Sequence, residues 1–196
     1  MKTLFTTFLV LAALANGSEA KDLKLLEPKS MICGFCCAGS RKDDKALGGY
    51  GLSDNAPKKI KDKIPGTEGQ ITLVALPAES VPFMGQYLGF RLLLINRTAG
   101  EASFAACDSQ LNIICEARDQ NGEWKPIEYL PPSFCGNSYH SVYLPSGHYW
   151  EFSAPVYSGS LKTRLRYNLQ GKQPTYSNEF DGSINPVQFK KPETPK

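Results

Sequence analysis

Few residues in this chain have the type and spacing that chemistry needs. The most suggestive are the thiols of Cys33-Gly34-Phe35-Cys36-Cys37. A Cys-x-x-Cys pair is the arrangement that lowers a thiol's pKa in redox proteins. Close cysteine pairs also serve zinc, normally with a second pair elsewhere in the chain. Here the pair does not open a helix in a βαβ pattern, the context that makes a redox motif specific. Cys107, Cys115 and Cys135 bring the cysteines to six. In an exported chain such a set favours disulfides over free thiols. All six are therefore bridge candidates, with Cys135 expected to pair with Cys107 or Cys115 and one further bridge joining the two groups.

The other reactive side chains are sparse. The chain has two histidines, His140 and His148. Cys135 and His140 could serve as nucleophile and base, but no third residue stands at a spacing that would orient them. His140 and His148 read as rim histidines beside a hairpin. Glu116, Asp119, Glu123 and Glu128 gather around one Asp119-Gln120-Asn121-Gly122 turn, and read as solvent-facing positions. No serine-hydrolase elbow, zinc-protease helix or phosphate loop occurs. The reading is a protein without catalytic residues, metal or cofactor.

The aromatics carry more information. Trp124, Tyr129, Tyr139, Tyr143 and Tyr149 fall close together in sequence. Tyrosine and tryptophan bury large area while keeping a polar tip, which suits binding surfaces. These five are the candidate binding residues, for a protein or glycan ligand. Trp150 and Phe152 belong to the core. A Lys162/Arg164/Arg166 stripe forms a basic face, most simply the solvated side of a strand.

The elements that must position these residues are strands. Leu161, Thr163, Leu165, Tyr167 and Leu169 alternate with Lys162, Arg164, Arg166 and Asn168, the period of two that marks a half-buried strand. Further strands are expected over 71–76, 90–96, 111–118, 124–130, 139–144, 148–154 and 176–184, with a short one at 187–189. Asn121-Gly122 supplies the positive φ angles that tight hairpins demand. Asn96-Arg97-Thr98 is a glycosylation sequon at a strand end. No segment has a helical period.

This spacing of short strands and turns predicts an all-β chain, an antiparallel β-sandwich. Leu144-Pro145-Ser146-Gly147-His148-Tyr149 is similar to the approach to a tyrosine corner, and the order of strands over 70–189 loosely resembles immunoglobulin-like or fibronectin III-like domains. Glu151 departs from that pattern, standing where such domains place a cysteine or an apolar residue. The resemblance implies a fold and no activity.

Ahead of the domain lie two further segments. Residues 1–20 have a lysine, a short apolar run and Ser18-Glu19-Ala20, which predicts a signal peptide cleaved after Ala20 and a secreted or periplasmic protein. Residues 21–69 form a cysteine-bearing leader rich in Gly, Lys, Asp and Pro, read as a flexible linker or a loop draped on the domain. Residues 190–196 form a polar tail expected to be disordered. The net charge of +3 is too mild for nucleic-acid binding, and no stretch after the leader peptide is apolar enough to span a membrane. The chain therefore reads as an exported, non-enzymatic binding or envelope-assembly module. The alternatives are a thiol-redox or metal-binding protein using Cys33–Cys37, or a secreted protease inhibitor presenting Pro131–Asn137.

Overall fold

The computed structural model describes residues 23–61, 63–131, 136–171 and 173–192. The predicted signal peptide and Cys135 lie outside them, as does most of the proposed inhibitory loop. The described chain is all-β, with several antiparallel sheets and two short 3-10 turns. Among the described residues no helix is long and apolar enough to cross a membrane.

One sheet has four strands. Strand β3 (Ile71–Phe83) and β4 (Tyr87–Asn96) form a long hairpin, β11 (His148–Pro155) pairs with β4, and β2 (Lys58–Lys59) closes the far side. Another centres on β12 (Leu161–Leu169), which pairs with β7 (Ile113–Arg118) on one side and with β13 (Thr175–Tyr176) and β14 (Phe180–Ile184) on the other; β8 (Trp124–Pro126) continues from β7. A smaller sheet orders β10 (Tyr139–Leu144), β5 (Ala102–Cys107) and β6 (Gln110–Leu111). Last, β1 (Ile32–Cys33) lies parallel to β9 (Glu128–Tyr129).

Side chains from all the larger sheets share one core. Leu73, Leu92, Leu94, Trp150 and Phe152 meet Ile113, Cys115, Ala117, Leu165, Tyr167 and Leu169. The period of two in β7 and β12 therefore did predict which face is buried. Burial of this apolar area is what orders short strands that would not hold alone. The far face of the four-stranded sheet carries a satellite cluster, in which Leu93, Ile95 and Tyr149 are covered by Ile60 and Ile64.

Several expectations need correction. The strand expected to close at Pro77 runs on to Phe83 through an irregularity between Leu76 and Ser80. Where the irregularity begins, the Asn178 side chain stands in for a neighbouring strand, donating to the Ala75 carbonyl at 3.0 Å and accepting from its amide at 2.9 Å. Strand β5 was not anticipated, because Ala102–Cys107 is too small-residued to show a pattern. Residues 187–189 form part of a 3-10 turn, Pro186–Phe189, capped by Asn185 rather than a strand. The sequon asparagine is fully buried: Asn96 Nδ2 donates to the Gly100 and Leu144 carbonyls at 2.9 and 2.8 Å, so the nitrogen a glycan would need is committed.

The leader is the largest departure from a free linker. Residues 31–38 of it pair with the domain and reach into its core. Met31, Cys36 and Ala38 are buried. The Gly34 amide donates to Tyr129 O, Leu111 N to Cys36 O, and Ala38 N to Ser109 O, each at 2.8 Å. Even the start of the tail is engaged, since Met31 N donates to Lys190 O at 3.0 Å.

Candidate functional site

The five candidate aromatics do not form one surface. Trp124 lies on the five-stranded sheet, Tyr129 on the parallel pair, Tyr139 and Tyr143 on β10, and Tyr149 in the satellite cluster. Tyr149 is buried, so it offers no binding face. Tyr139 is exposed at the start of β10, and Tyr129 is half-buried beside Cys33. Trp124 is covered by two guanidinium groups, Arg166 at 4.2 Å and Arg118 at 4.8 Å from the ring centre. Arg166 also lies 3.9 Å over Tyr176 and donates to Glu116 at 2.7 Å. Arg164 pairs with Asp181 at 2.9 Å and Glu179 at 3.6 Å. The basic stripe is thus largely neutralised by its own neighbours.

A cleft forms instead where the leader crosses β10. A cavity of about 450 Å³ is lined by Ser40, Arg41, Tyr50, Asp54 and Val142, with Ser109 and His140 at its base. An adjoining one of about 570 Å³ shares Gly39, Ser40, Arg41, Ser53 and Asp54 and extends toward Glu101, Tyr143 and His148. Together they make a groove of mixed polar and apolar lining whose wall is leader and whose floor is sheet. Only Tyr143 among the five candidate aromatics reaches it.

The local geometry explains why the leader follows this path. Gly39 is required because a Cβ there would sit 2.3 Å from the Ser53 carbonyl oxygen, closer than any side chain tolerates. Its own carbonyl accepts from Trp150 Nε1 at 2.9 Å, which ties the leader to the core tryptophan. Asn55 Nδ2 then donates to Cys37 O at 3.0 Å and Glu151 O at 3.1 Å. Gly48 and Gly49, with φ of +82° and +81°, let the chain turn back so that Tyr50 can stack on His140 at 3.7 Å between ring centres.

The floor rests on a tight turn. Asp108 and Ser109 both have positive φ, +49° and +66°, in the two-residue loop between β5 and β6. Asparagine and glycine are the usual residues there, so the conformation carries some strain. The strain is offset by contacts to the loop above. Asp108 Oδ1 accepts from Gly51 N at 2.8 Å, and Ser109 Oγ donates to Gly51 O at 2.7 Å. The Gly51 amide, with Ser138, also holds the Asp108 carboxyl below its ordinary range. His140 is buried, not on the rim, and its Nδ1–H donates to Ser138 O at 3.1 Å. Its Nε2 is 3.4 Å from Ser109 Oγ, longer than the bond that hydroxyl makes to Gly51. The histidine and serine therefore pin the leader to the sheet.

Asp43 does the same at the edge of β10. Its Oδ2 accepts from Ser141 N at 2.7 Å, and its Oδ1 from Lys45 N at 3.0 Å and Tyr143 OH at 3.1 Å. The Ser141 amide above all, then that of Lys45, lowers its carboxyl pKa. Strand edges invite pairing with another chain, and here the carboxylate occupies an edge donor. Arg41 lies 3.6 Å over the Tyr143 ring and pairs with Glu101 at 2.8 Å. Leu52 stands at the groove's rim, 84% exposed.

The cysteines and carboxylates differ from expectation in a second place. Cys33, Cys36, Cys37, Cys107 and Cys115 are all unbridged, so no disulfide forms within that set. The pairing proposed for Cys135 falls outside the described residues. Burial pushes the thiols of Cys36 and Cys115 well above 9.0, the opposite of a redox-activated pair. Among the described residues no three His, Cys, Asp or Glu side chains converge to hold a metal.

Glu128, expected at the surface, is 1% exposed. Its Oε2 accepts from Cys115 N at 3.0 Å, and its Oε1 accepts from Tyr157 OH. Neither donor is a cation, and desolvation raises its pKa from 4.5 to about 7.

The groove was hard to find from sequence because its wall looked like linker. The signal available was Gly48-Gly49-Tyr50-Gly51, a single aromatic among glycines, with Asp43 and Asp54 on either side. Comparison with family models, with curated proteins and with solved structures finds no match.

Proposed function

We propose that this chain is an exported, non-enzymatic recognition module that takes a protein or glycan ligand in the groove between residues 39–57 and β10. On this reading its sheets pack as a β-sandwich of immunoglobulin-like or fibronectin III-like type, and residues 1–20 direct it to the periplasm or the exterior. The observation that carries the proposal is the groove's construction. Arg41, Ser40, Ser53 and Asp54 present donors and acceptors along one side, and Tyr50, Tyr143 and Leu52 present flat or apolar surface. Such a mixture of a few fixed polar groups with apolar faces is the usual chemistry of small-ligand sites.

The thiol-redox alternative is less well supported, because Cys36 is buried with a raised pKa.

The test is ligand capture by the mature chain on a panel of immobilised oligosaccharides and envelope proteins, with wild type beside Tyr50→Ala and Arg41→Ala. Captured ligand should be lost at least tenfold in both variants, with melting curves close to wild type. Capture unaffected by either substitution would remove the groove from the binding reaction. Amino-terminal sequencing of the exported protein should begin at Lys21.

A further inference from the structure

The leader's inner half is closed over a carboxyl that has no counter-charge. Glu128 sits on β9, the strand against which the leader strand β1 lies in parallel. The groups that face it come from every neighbouring element. They are Cys115 from β7, Tyr157 from the link between β11 and β12, Tyr167 from β12, and Cys36 from the leader. Each of these is an acid, and burial holds each in its neutral form by raising its pKa well above the ordinary value. An ionised Glu128 would therefore meet two hydrogen bonds and no positive charge. A buried charge in that position must either take a proton or gain water.

Water can reach it most cheaply by displacing the leader. Strand β7 is held to β12 over a register of five residues, Ile113 to Ala117. Strand β1 is held to β9 over two, Ile32 and Cys33. Beyond that pair, residues 31–38 are held by single backbone bonds at Met31, Gly34, Cys36 and Ala38, by side-chain bonds from Gln110 to Gly34 O and from Asn55 to Cys37 O, and by the burial of Met31, Cys36 and Ala38.

We propose that docking of leader residues 31–38 is reversible with pH: protonated Glu128 keeps the segment threaded into the core, and ionised Glu128 releases it. The raised pKa of Glu128, about 7, places the change near neutrality. The sign follows from linkage. A carboxyl whose folded pKa lies above its ordinary value favours the closed form at low pH, and that preference is lost as pH rises through the folded pKa. Because Gly39 to Arg41 continue directly from this segment into the groove, release would also move the groove's wall.

Amide hydrogen exchange of the full mature chain tests this without any ligand. Protection factors at Cys36, Ala38 and the Cys36-bonded Leu111 should fall about thirtyfold between pH 5.5 and pH 8.5, from the titration of one carboxyl between 4.5 and about 7. Those of Leu92 to Leu94 in β4 should stay within a few-fold. Glu128→Gln should abolish the leader's pH dependence. Tyr157→Phe, which removes a hydrogen bond to the charged form, should move the midpoint to higher pH. Parallel loss of protection in leader and β4 would mean global destabilisation and would overturn the proposal. So would leader protection independent of pH in the wild type, or an unmoved midpoint in Tyr157→Phe.

Discussion

Residues 23–38 and 39–57 belong to one segment by composition, yet the domain holds them by different means. The first stretch is threaded inside, through Met31, Cys36 and Ala38. The second lies on top, held by side-chain hydrogen bonds from Asp43, Asn55, Asp108 and Ser109. Two carboxyls mark the contrast. Glu128 and Asp43 are both largely out of solvent, 1% and 5% exposed, but Glu128 lies in the core and Asp43 under a surface loop, so Glu128 bears the heavier desolvation. Glu128 accepts from one amide and one phenol, and its pKa rises. Asp43 accepts from two amides and one phenol, and its pKa falls. Hydrogen bonds to the charged form have outweighed desolvation at one site and not at the other. The inner half of the leader is therefore held by burial in the core, and the outer half by polar contacts at the surface.

The contrast can be broken most forcefully at Met31. Met31→Ala should cost about 3 kcal/mol, the usual range for a buried methionine truncated in a core. Chemical denaturation should report a lower midpoint with an unchanged slope. A loss near zero would mean that the inner leader is as loosely attached as the outer.

Glu128 offers the next largest effect. Its shift from 4.5 to about 7 corresponds to about 3 kcal/mol at most, present in full below pH 4.5 and lost as pH rises toward and past 7. Docking of the inner leader, read by its amide protection, should therefore weaken across that window while β4 holds, and Glu128→Gln should flatten the decline. Gln can accept from Cys115 N and donate to the Tyr157 oxygen, so the variant keeps both contacts. Should the two proteins show the same pH profile, the carboxyl is charged in the fold and the contrast with Asp43 disappears.

Trp124 sharpens the comparison from outside both halves. Its ring is stacked with Arg118 and Arg166, and Trp124→Ala should cost about 1–2 kcal/mol through those contacts. Ligand capture in the groove should be unchanged, because Trp124 lies on the other sheet. Lost capture with intact melting would instead return the binding site to the aromatic face that sequence suggested.

How much of this was readable in advance depends on what kind of interaction decided each part. Alternation in β7 and β12 named Ile113, Cys115, Ala117, Leu165 and Tyr167 as inward-facing, because strand periodicity is a local property. The same logic placed Trp150 and Phe152 correctly. It failed where a polar side chain is satisfied by residues distant in sequence. Asn96 read as a glycan acceptor until Leu144 took its amide, 48 positions away. Glu128 read as solvent-facing because its donors, Cys115 N and Tyr157 OH, lie on other strands. The leader read as a linker because three small buried contacts and a glycine with no room for a Cβ leave no hydrophobic pattern. The site was therefore illegible where the fold was clear: its residues are chosen by contacts across the chain, not by the period of one element.

Asp43 is the most delicate probe of the outer half. Its lowered pKa means that it contributes above its ordinary 3.8 and loses that contribution as pH falls through the folded value, the reverse of Glu128. Acidification should therefore free residues 42–52 while the carboxyl of Glu128, already protonated, keeps the inner leader in place. Asp43→Asn should reproduce this at neutral pH, since an amide cannot accept from Ser141 N, Lys45 N and Tyr143 OH with both of its ends. Limited proteolysis should find the new cleavage between Lys42 and Leu52, with little change in the melting temperature. If instead Asp43→Asn melts as early as Met31→Ala, the outer leader is part of the cooperative fold, and the groove's wall is no more adaptable than its floor.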